Sequence, residues 1–308
     1  MKQPNDRLPV ILDTDIGGDI DDTWALSLLL KCPELDARLI VSNTEDTEYR
    51  AAIIARLLEV AGRTDVPVGV GIKQSDQKGR QVQWIEGYSL DSYPGRLYRD
   101  GVRAIIETIE ASTVPVTLIC IGPLTNIAEV LRRAPHVARK TRFVGMLGCI
   151  ERHQDGIGGA IAEWNVLYNL KACQVVFQAP WLDMTITPLD TCGQVRLRAP
   201  KYAVVRECRD PLVQAVIENY RSWLEGQPDT ESSILYDTVA VHLAYSTEFL
   251  EMKKMNLRVT NDGFTVPDDL GIPVNVALDW TAPMPGFISG LDAFEDLLIL
   301  RLTGVLMC

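Results

Sequence analysis

Short runs of consecutive apolar residues alternate along this chain with longer segments whose apolar positions recur at helical spacing. The short runs predict buried strands, at residues 10–12, 39–41, 116–121, 142–146 and 184–187. The segments with helical spacing predict helices, at residues 23–31, 49–61, 125–133, 170–177 and 238–244. This alternation favours an α/β fold with a doubly wound, mostly parallel sheet.

No internal repeat, low-complexity tract or linker interrupts this pattern. We therefore expect one domain over residues 1–308, with a helical insertion over residues 211–226 as an open alternative. In open sheets of this class, ligands bind outside the carboxyl ends of the strands. The active site is expected at that edge.

Composition and charge exclude several classes of partner. The net charge of −11 has the wrong sign for binding a phosphate backbone, so nucleic acid is not expected. No apolar run reaches the roughly 18 residues that a membrane span needs, and the N-terminus lacks the apolar core of a signal peptide. Seven cysteines without a C-x-x-C pair are typical of a reduced protein, so we expect a cytoplasmic location.

Five carboxylates crowd into ten positions directly after the first predicted strand, namely Asp13, Asp15, Asp19, Asp21 and Asp22. Carboxylates this close repel each other and raise each other's pKa values, so the cluster favours a bound cation. Ligands that are all oxygen indicate a hard ion, Ca²⁺ or Mg²⁺.

Further polar residues follow the other predicted strands and open the helices beyond them. They are Asn43, Thr125, Glu163, Asn165, Tyr236 and Asp237. Because the carboxyl ends of parallel strands meet at one edge of a sheet, we expect these residues to converge on one pocket.

The chain resembles the Ca²⁺-dependent nucleoside hydrolases, the inosine-uridine preferring N-ribohydrolases. Their opening signature is Asp-x-Asp-Pro-Gly-x-Asp-Asp, and residues 13–22 give a form two residues longer with Ile16 in the proline place. The likeness continues from Val10 to near Leu302, through segments 41–44, 61–67, 121–128, 162–165 and 236–240.

The resemblance implies hydrolysis of the N-glycosidic bond of a purine or pyrimidine ribonucleoside, as in nucleoside salvage. It implies Ca²⁺ bound by Asp15, Asp22, the backbone carbonyl of Thr125, and Asp237. With two ribose hydroxyls and a water, the shell would hold about eight oxygens, which suits Ca²⁺. Asp15 would also act as general base.

The remaining site residues implied by the resemblance grip the ribose, namely Asp21, Asn43, Glu163 and Asn165. Asp13 is expected to be structural, orienting the acidic loop through backbone hydrogen bonds, and Asp19 is expected to face solvent. Relatives are often dimers or tetramers, which implies a homo-oligomer by analogy.

Three departures from the family concern the leaving base and the 5′-hydroxyl. Tyr236 stands where relatives commonly have a histidine, and the flap at residues 83–88 lacks a second one. Ile157 replaces an asparagine that grips the 5′-hydroxyl, within a loop at residues 147–162 that is longer than usual. Substitutes in that loop are His153, Gln154 and Asp155, whereas His136 and His242 are expected to be structural.

Aromatic side chains offer another way to hold the base, by stacking. The candidates are Trp84, Tyr88, Trp164 and Tyr236, although aromatic residues also simply pack.

Each site residue also has a structural interpretation that stays open. Asp22, Asp237 and Thr125 could only cap helices, Asn43 could form a turn, and Glu163 could be a solvated loop acid. Two other functions remain as alternatives. One is a non-catalytic Ca²⁺ and ribose-binding protein, suggested by the missing histidines. The other is a Mg²⁺-dependent phosphatase, since Asp-x-Asp after a strand also opens aspartyl-phosphate enzymes.

Overall fold

The computed structural model describes residues 7–283 and 285–307, without the side chain of Asp155. The ten strands of these residues form one sheet. The strands are β1 (Leu8–Thr14), β2 (Leu35–Ser42), β3 (Val68–Gly69), β4 (Leu97–Tyr98), β5 (Val116–Cys120), β6 (Thr141–Met146), β7 (Asp183–Thr187), β8 (Leu250–Val259), β9 (Thr265–Pro267) and β10 (Ile272–Trp280). Their order across the sheet is β4-β3-β2-β1-β5-β6-β7-β10-β8-β9.

The helices of the described residues connect these strands and cover both faces of the sheet. They are α1 (Asp21–Lys31), α2 (Thr47–Val60), α3 (Gly101–Ala111), α4 (Thr125–Arg133), α5 (Trp164–Tyr168), α6 (Leu170–Phe177), α7 (Leu189–Cys192), α8 (Lys201–Arg206), α9 (Pro211–Leu224), α10 (Tyr236–Leu243) and α11 (Gly290–Thr303).

The expected mostly parallel, doubly wound sheet is confirmed. Strands β1 to β7 and β10 pair in parallel, and only the pairs of β8 with β10 and β9 are antiparallel. From β1 the chain winds outward through β2, β3 and β4, then returns to place β5 on the other side of β1. The carboxyl ends of β1 and β5 therefore form a topological switch point, where such sheets bind ligands.

Two apolar layers form because neighbouring strand residues point to opposite faces. In β1, Val10 and Leu12 join one buried cluster and Ile11 joins the other. Helices α1, α2, α9, α10 and α11 pack on the first layer, and α3, α4 and α6 pack on the second.

All ten predicted strands and helices are present, and two have the predicted bounds, α4 and α6. Helix α1 begins at Asp21, and α10 begins at Tyr236, so each includes its acidic residue in its first turn. The segment considered as a helical insertion forms α9, whose apolar residues belong to the first layer. Helix α3, the short strands β3 and β4, and strands β8 to β10 were not predicted.

No helix among the described residues has both the length and the apolar character needed to cross a bilayer. The six cysteines in the described part of the chain are free thiols, namely Cys32, Cys120, Cys149, Cys173, Cys192 and Cys208.

The central position of β5 predicts a large effect of a cavity there. Replacing the fully buried Ile119 by alanine should lower the free energy of unfolding by about 2–5 kcal/mol. The matched change Val114→Ala, at a side chain 55% exposed, should alter it by less than about 0.5 kcal/mol. Urea unfolding of both variants checks this, and equal effects would contradict the assignment of β5 to the core.

Candidate active site

The acidic loop between β1 and α1 is shaped by a threonine and a glycine. Thr14 Oγ1 accepts from the Ile16 N–H at 3.1 Å and donates to Asp22 Oδ1 at 2.5 Å. Gly17 has a φ of +104°, and a Cβ there would lie 2.8 Å from the ring of Tyr49. Only glycine suits both constraints, so the loop turns sharply and directs the start of α1 back toward the end of β1.

Two helix N-termini bring three carboxyl groups together. Asp21 and Asp22 lie in the first turn of α1, and Asp237 lies in the first turn of α10. One oxygen from each lies within 4.8 Å of the others, although 216 residues separate Asp21 from Asp237. The partial positive charge of each N-terminus favours these acids but does not neutralise them.

Burial makes this cluster electrostatically costly. The pKa values of Asp21, Asp22 and Asp237 lie well above the ordinary range, first because the groups are buried and then because neighbouring carboxylates repel. Burial likewise raises the pKa of Asp15 to about 6, although the Arg50 guanidinium opposes that rise. Donors that are all oxygen, close together and mutually repelling fit a hard divalent cation, which would favour their ionised forms.

Asp15 lines the cavity beside this cluster but is not one of the three grouped carboxyls. A Cβ at Gly122 would lie 2.7 Å from Asp15 Oδ1, so the loop after β5 accommodates Asp15 only because it carries no side chain there. Thr125, expected to offer its carbonyl, begins α4 and does not line the cavity. The structure groups Asp22 and Asp237 with Asp21, and the role of the Thr125 carbonyl stays a prediction.

Asn43 and Asp13 form a buried clamp below the floor of the cavity, which is formed by the carboxyls of Asp21, Asp22 and Asp237. Asp13 accepts from Asn43 Nδ2 at 2.5 Å and from Asn126 Nδ2 at 2.7 Å, and burial raises its pKa to about 7. Asn43 Nδ2 also donates to the Pro123 carbonyl. Asp13 is structural as expected, but it binds side-chain amides and not backbone N–H groups. Asn43 is fully buried and does not line the cavity, and the expectation that it grips ribose stays a prediction.

Glu163 and Asn165 line the cavity opposite the acidic loop. Glu163 caps α5 and accepts three backbone N–H groups, those of Asn165, Val166 and Gly148. It is only 4% exposed, which excludes a solvated loop acid, and burial raises its pKa to about 7. Asn165 Nδ2 donates to the Met146 carbonyl at 3.1 Å. These bonds fix both side chains before any ligand arrives.

The cavity measures about 850 Å³. Its wall includes charged and aromatic residues that sequence reasoning missed, namely Arg50, Lys78, Arg80, Trp223 and Glu225. Arg50 is only 2% exposed and donates to the Ile16 carbonyl and to Glu45, the latter at 2.6 Å. An arginine on an otherwise apolar face of helix α2 was the sequence signal that could have identified it.

The aromatic candidates divide into two groups. Tyr236 and Trp164 line the cavity, whereas Trp84 and Tyr88 do not. Trp84 is buried with the guanidinium of Arg56 over its ring at 4.6 Å. The flap pair therefore packs against the apolar core.

No histidine lines the cavity. His153 is half-buried outside it, while its neighbour Gln154 does line the wall. His242 is buried with its ring nitrogens near the Tyr245 hydroxyl and the Glu248 carbonyl, in agreement with a structural role. His136 is exposed and pairs with an acid on the surface. The Asp155 side chain lies outside the described residues. Asp19 is exposed as expected, at the cavity wall.

Residues 10–283 match the family model of the inosine-uridine preferring nucleoside hydrolases. The chain belongs to this family. It is 29% identical over 226 residues to the pyrimidine-specific ribonucleoside hydrolase RihA of Enterobacter sp. strain 638, covering 68% of this chain and 69% of that protein.

Two solved structures share the fold. The plant nucleoside hydrolase PpNRh1 superposes with a TM-score of 0.79 at 21% identity, covering 97% of this chain and 99% of its own. The purine-preferring ribonucleoside hydrolase from Gardnerella vaginalis gives a TM-score of 0.74 at 23% identity, covering 96% of this chain and 98% of its own.

Family membership makes this protein a nucleoside hydrolase, an enzyme that acts on N-glycosyl compounds. The resemblance inferred from the motifs is thereby confirmed. The phosphatase and the non-catalytic binding protein are not favoured.

The grouped carboxyls predict tight binding of a divalent cation. Asp237→Asn should weaken binding of Ca²⁺ or Mg²⁺ by at least about 10-fold, because it removes one charge from the donor set. Without added cation, the variant should melt no lower than the parent, because one repelling carboxyl is gone. Isothermal titration calorimetry and thermal melting measure the two effects.

The matched control is Asp269→Asn, which changes an exposed carboxylate away from the cavity and should leave cation affinity unaltered. Equal affinities in the parent and in Asp237→Asn would refute the cation site.

Proposed function

We propose that this enzyme hydrolyses purine or pyrimidine ribonucleosides to free base and ribose, with Ca²⁺ as cofactor and Asp15 as general base. The observation that carries the proposal is the meeting of Asp21, Asp22 and Asp237 at two helix N-termini, beside Asp15 and Glu163 in one cavity. A cavity of about 850 Å³ can hold a nucleoside.

Ca²⁺ is proposed over Mg²⁺ because of the donor set. Asp15, Asp22, Asp237 and the Thr125 carbonyl are the protein oxygens that we assign to it, as in the family. The cation would offset the carboxylates and make water more acidic. Ca²⁺ accepts many oxygens in flexible geometry, whereas Mg²⁺ demands a near-ideal octahedron.

The ribose is assigned to the polar residues around the acidic floor. Glu163 has two oxygens with about four acceptor positions, and three of those accept backbone N–H groups. One position is left for a sugar hydroxyl. Asn165 uses its Nδ2 on Met146, which leaves Oδ1 to accept. Asp21 and Asn43 complete this set, and Asn43 also holds Asp13.

The reaction then follows from where the charges lie. As the C1′–N bond breaks, the ribose becomes oxocarbenium-like, and the surrounding carboxylates stabilise this positive charge more than the neutral substrate. Asp15 takes a proton from the attacking water, so that the oxygen adds to C1′ as a nucleophile. The electron pair of the broken bond goes to the base nitrogen, which takes up a proton from water as the base departs. Tyr236 lines the wall and is assigned to contact this base.

We also propose the wider setting of the enzyme. Its chain forms one domain, works in the cytoplasm in nucleoside salvage, and assembles as a dimer or tetramer. The continuous sheet supports the single domain, and the six free thiols of the described residues support the cytoplasmic location. The oligomer rests on analogy with the family. Light scattering of the purified protein tests it, and a monomer would contradict it.

Removing the general base predicts a specific loss of turnover. Asp15→Asn should lower kcat on inosine and uridine by about 10²- to 10⁴-fold, because an amide cannot accept the water proton. The assay measures reducing sugar at saturating Ca²⁺, so that a change in cation affinity is not read as a change in chemistry.

Asp269→Asn again serves as the control and should keep full activity. A correctly folded Asp15→Asn enzyme with parental kcat would exclude Asp15 as the base.

The sugar contacts predict discrimination at the 2′-hydroxyl. A site that binds both vicinal hydroxyls should hydrolyse inosine at least about 100-fold faster than 2′-deoxyinosine, in terms of kcat/KM, because the deoxy substrate leaves buried polar groups unpaired. Parallel assays of free hypoxanthine check this, and equal values for the two substrates would contradict the assignment of the ribose.

A further inference from the structure

The cavity carries an excess of negative charge beyond what a cation would offset. Eight carboxyl side chains line it, at Asp15, Asp19, Asp21, Asp22, Glu45, Glu163, Glu225 and Asp237. Only three cationic side chains do so, at Arg50, Lys78 and Arg80. With these carboxyls ionised around one divalent cation, the balance stays negative. A positively charged ligand is therefore attracted, and an anionic one is repelled.

Two of the three cations are already compensated. Arg50 Nη2 lies 2.6 Å from Glu45 Oε2, and Arg80 Nε lies 3.9 Å from Glu225 Oε2. Lys78 alone has no acid within 4 Å among the described residues, and it is exposed. Basic side chains therefore do not give the wall a positive character.

Aromatic faces complete a wall suited to a cation. Trp223, Tyr236 and Trp164 all line the cavity. The Arg80 guanidinium already lies over the Trp223 ring at 5.4 Å, so this ring attracts positive charge in the structure itself. Flat cationic rings bind such faces by stacking and by the ring quadrupole.

The described residues that line the cavity offer no imidazole to protonate a leaving base. None of the three histidines of the chain lines it. A neutral base needs a proton or a strong hydrogen bond as it departs, whereas a base that is already cationic does not.

We propose that this enzyme prefers N-ribosides whose base carries a positive charge, such as pyridinium or N7-alkylated purine ribosides. The inference rests on the proposed function, because it concerns the same hydrolytic site. In the reaction, the C1′–N bond breaks and its electron pair returns to the ring nitrogen, which neutralises the base. Water forms the C1′–O bond and releases its proton to Asp15, and no proton is needed on the base.

Matched substrates that differ in charge test this preference. The first pair is 7-methylguanosine and guanosine, and the second compares N-ribosylnicotinamide with inosine and uridine. We expect kcat/KM for each cationic substrate to exceed that of its neutral counterpart by at least about 10-fold, which corresponds to one unit of charge facing a partly buried acid.

A charge variant separates the effect of the wall from the intrinsic lability of cationic ribosides. Glu225→Gln should lower the ratio of kcat/KM between 7-methylguanosine and guanosine by about 3-fold, the size expected for a partly exposed charge pair. Glu248→Gln, at an exposed acid outside the cavity, should leave that ratio unchanged. Added salt should reduce the ratio in the parent enzyme.

The possible outcomes are distinct. Higher kcat/KM on both cationic substrates, with the ratio reduced in Glu225→Gln, supports the proposal. Turnover of neutral nucleosides without a cationic preference, or a preference that Glu225→Gln and salt do not alter, overturns it and leaves the proposed function intact. No turnover of any riboside overturns both.

Discussion

Mutual repulsion among buried carboxylates is the constraint on which this site depends. Asp21, Asp22 and Asp237 approach one another while nearly fully buried, where each charge opposes the next and raises its pKa. Such an arrangement is unfavourable for folding by itself, so the rest of the structure must hold it in place. The sheet supplies the rigid frame, and the helix N-termini supply partial compensation.

The clamp below the floor shows how that frame works. Asp13 is the last but one residue of β1, Asn43 directly follows β2, and Asn126 lies in the first turn of α4 after β5. One buried carboxyl therefore ties three neighbouring elements together. Each of the amides has a further backbone partner, Pro123 for Asn43 and Ser42 for Asn126. Because these bonds are made inside the protein, they are strong and directional. The switch point between β1 and β5 is therefore stiff at the place where the acids project from it.

Local sequence patterns were sufficient for the elements and for most of the acids. Buried strands have no polar alternation, and helices α4 and α6 carry clear apolar spacing, so both kinds of element were predicted. Strand β8 was missed because its middle residues, among them Lys253 and Lys254, are largely exposed and polar. The two-residue strands β3 and β4 are too short for any pattern to indicate.

The roles of individual polar residues depended on partners far away in sequence. Asn43 was assigned to ribose through the family resemblance, and its amide also binds Asp13, which lies 30 residues earlier. Nothing local distinguishes a buried amide from one that faces a ligand. The residues of the α9 end, Trp223 and Glu225, reach the cavity only through tertiary packing. The family motifs indicated the acidic residues of the floor, whereas Trp223 and Glu225 of the wall were identified only from the structure.

The contrast between floor and wall has a physical reason. The floor must hold a cation and still favour positive charge on the sugar, so its carboxylates have to outnumber the charge that they bind. Arg50 limits this excess by pairing with Glu45 and by lowering the pKa of Asp15, which keeps that group able to accept a proton. The wall residues lie in the electrostatic field of the same carboxylates, and we assign none of them to the cation. The aromatic rings and remaining acids of the wall therefore decide which bases enter, and the common floor decides that the bond to ribose is broken.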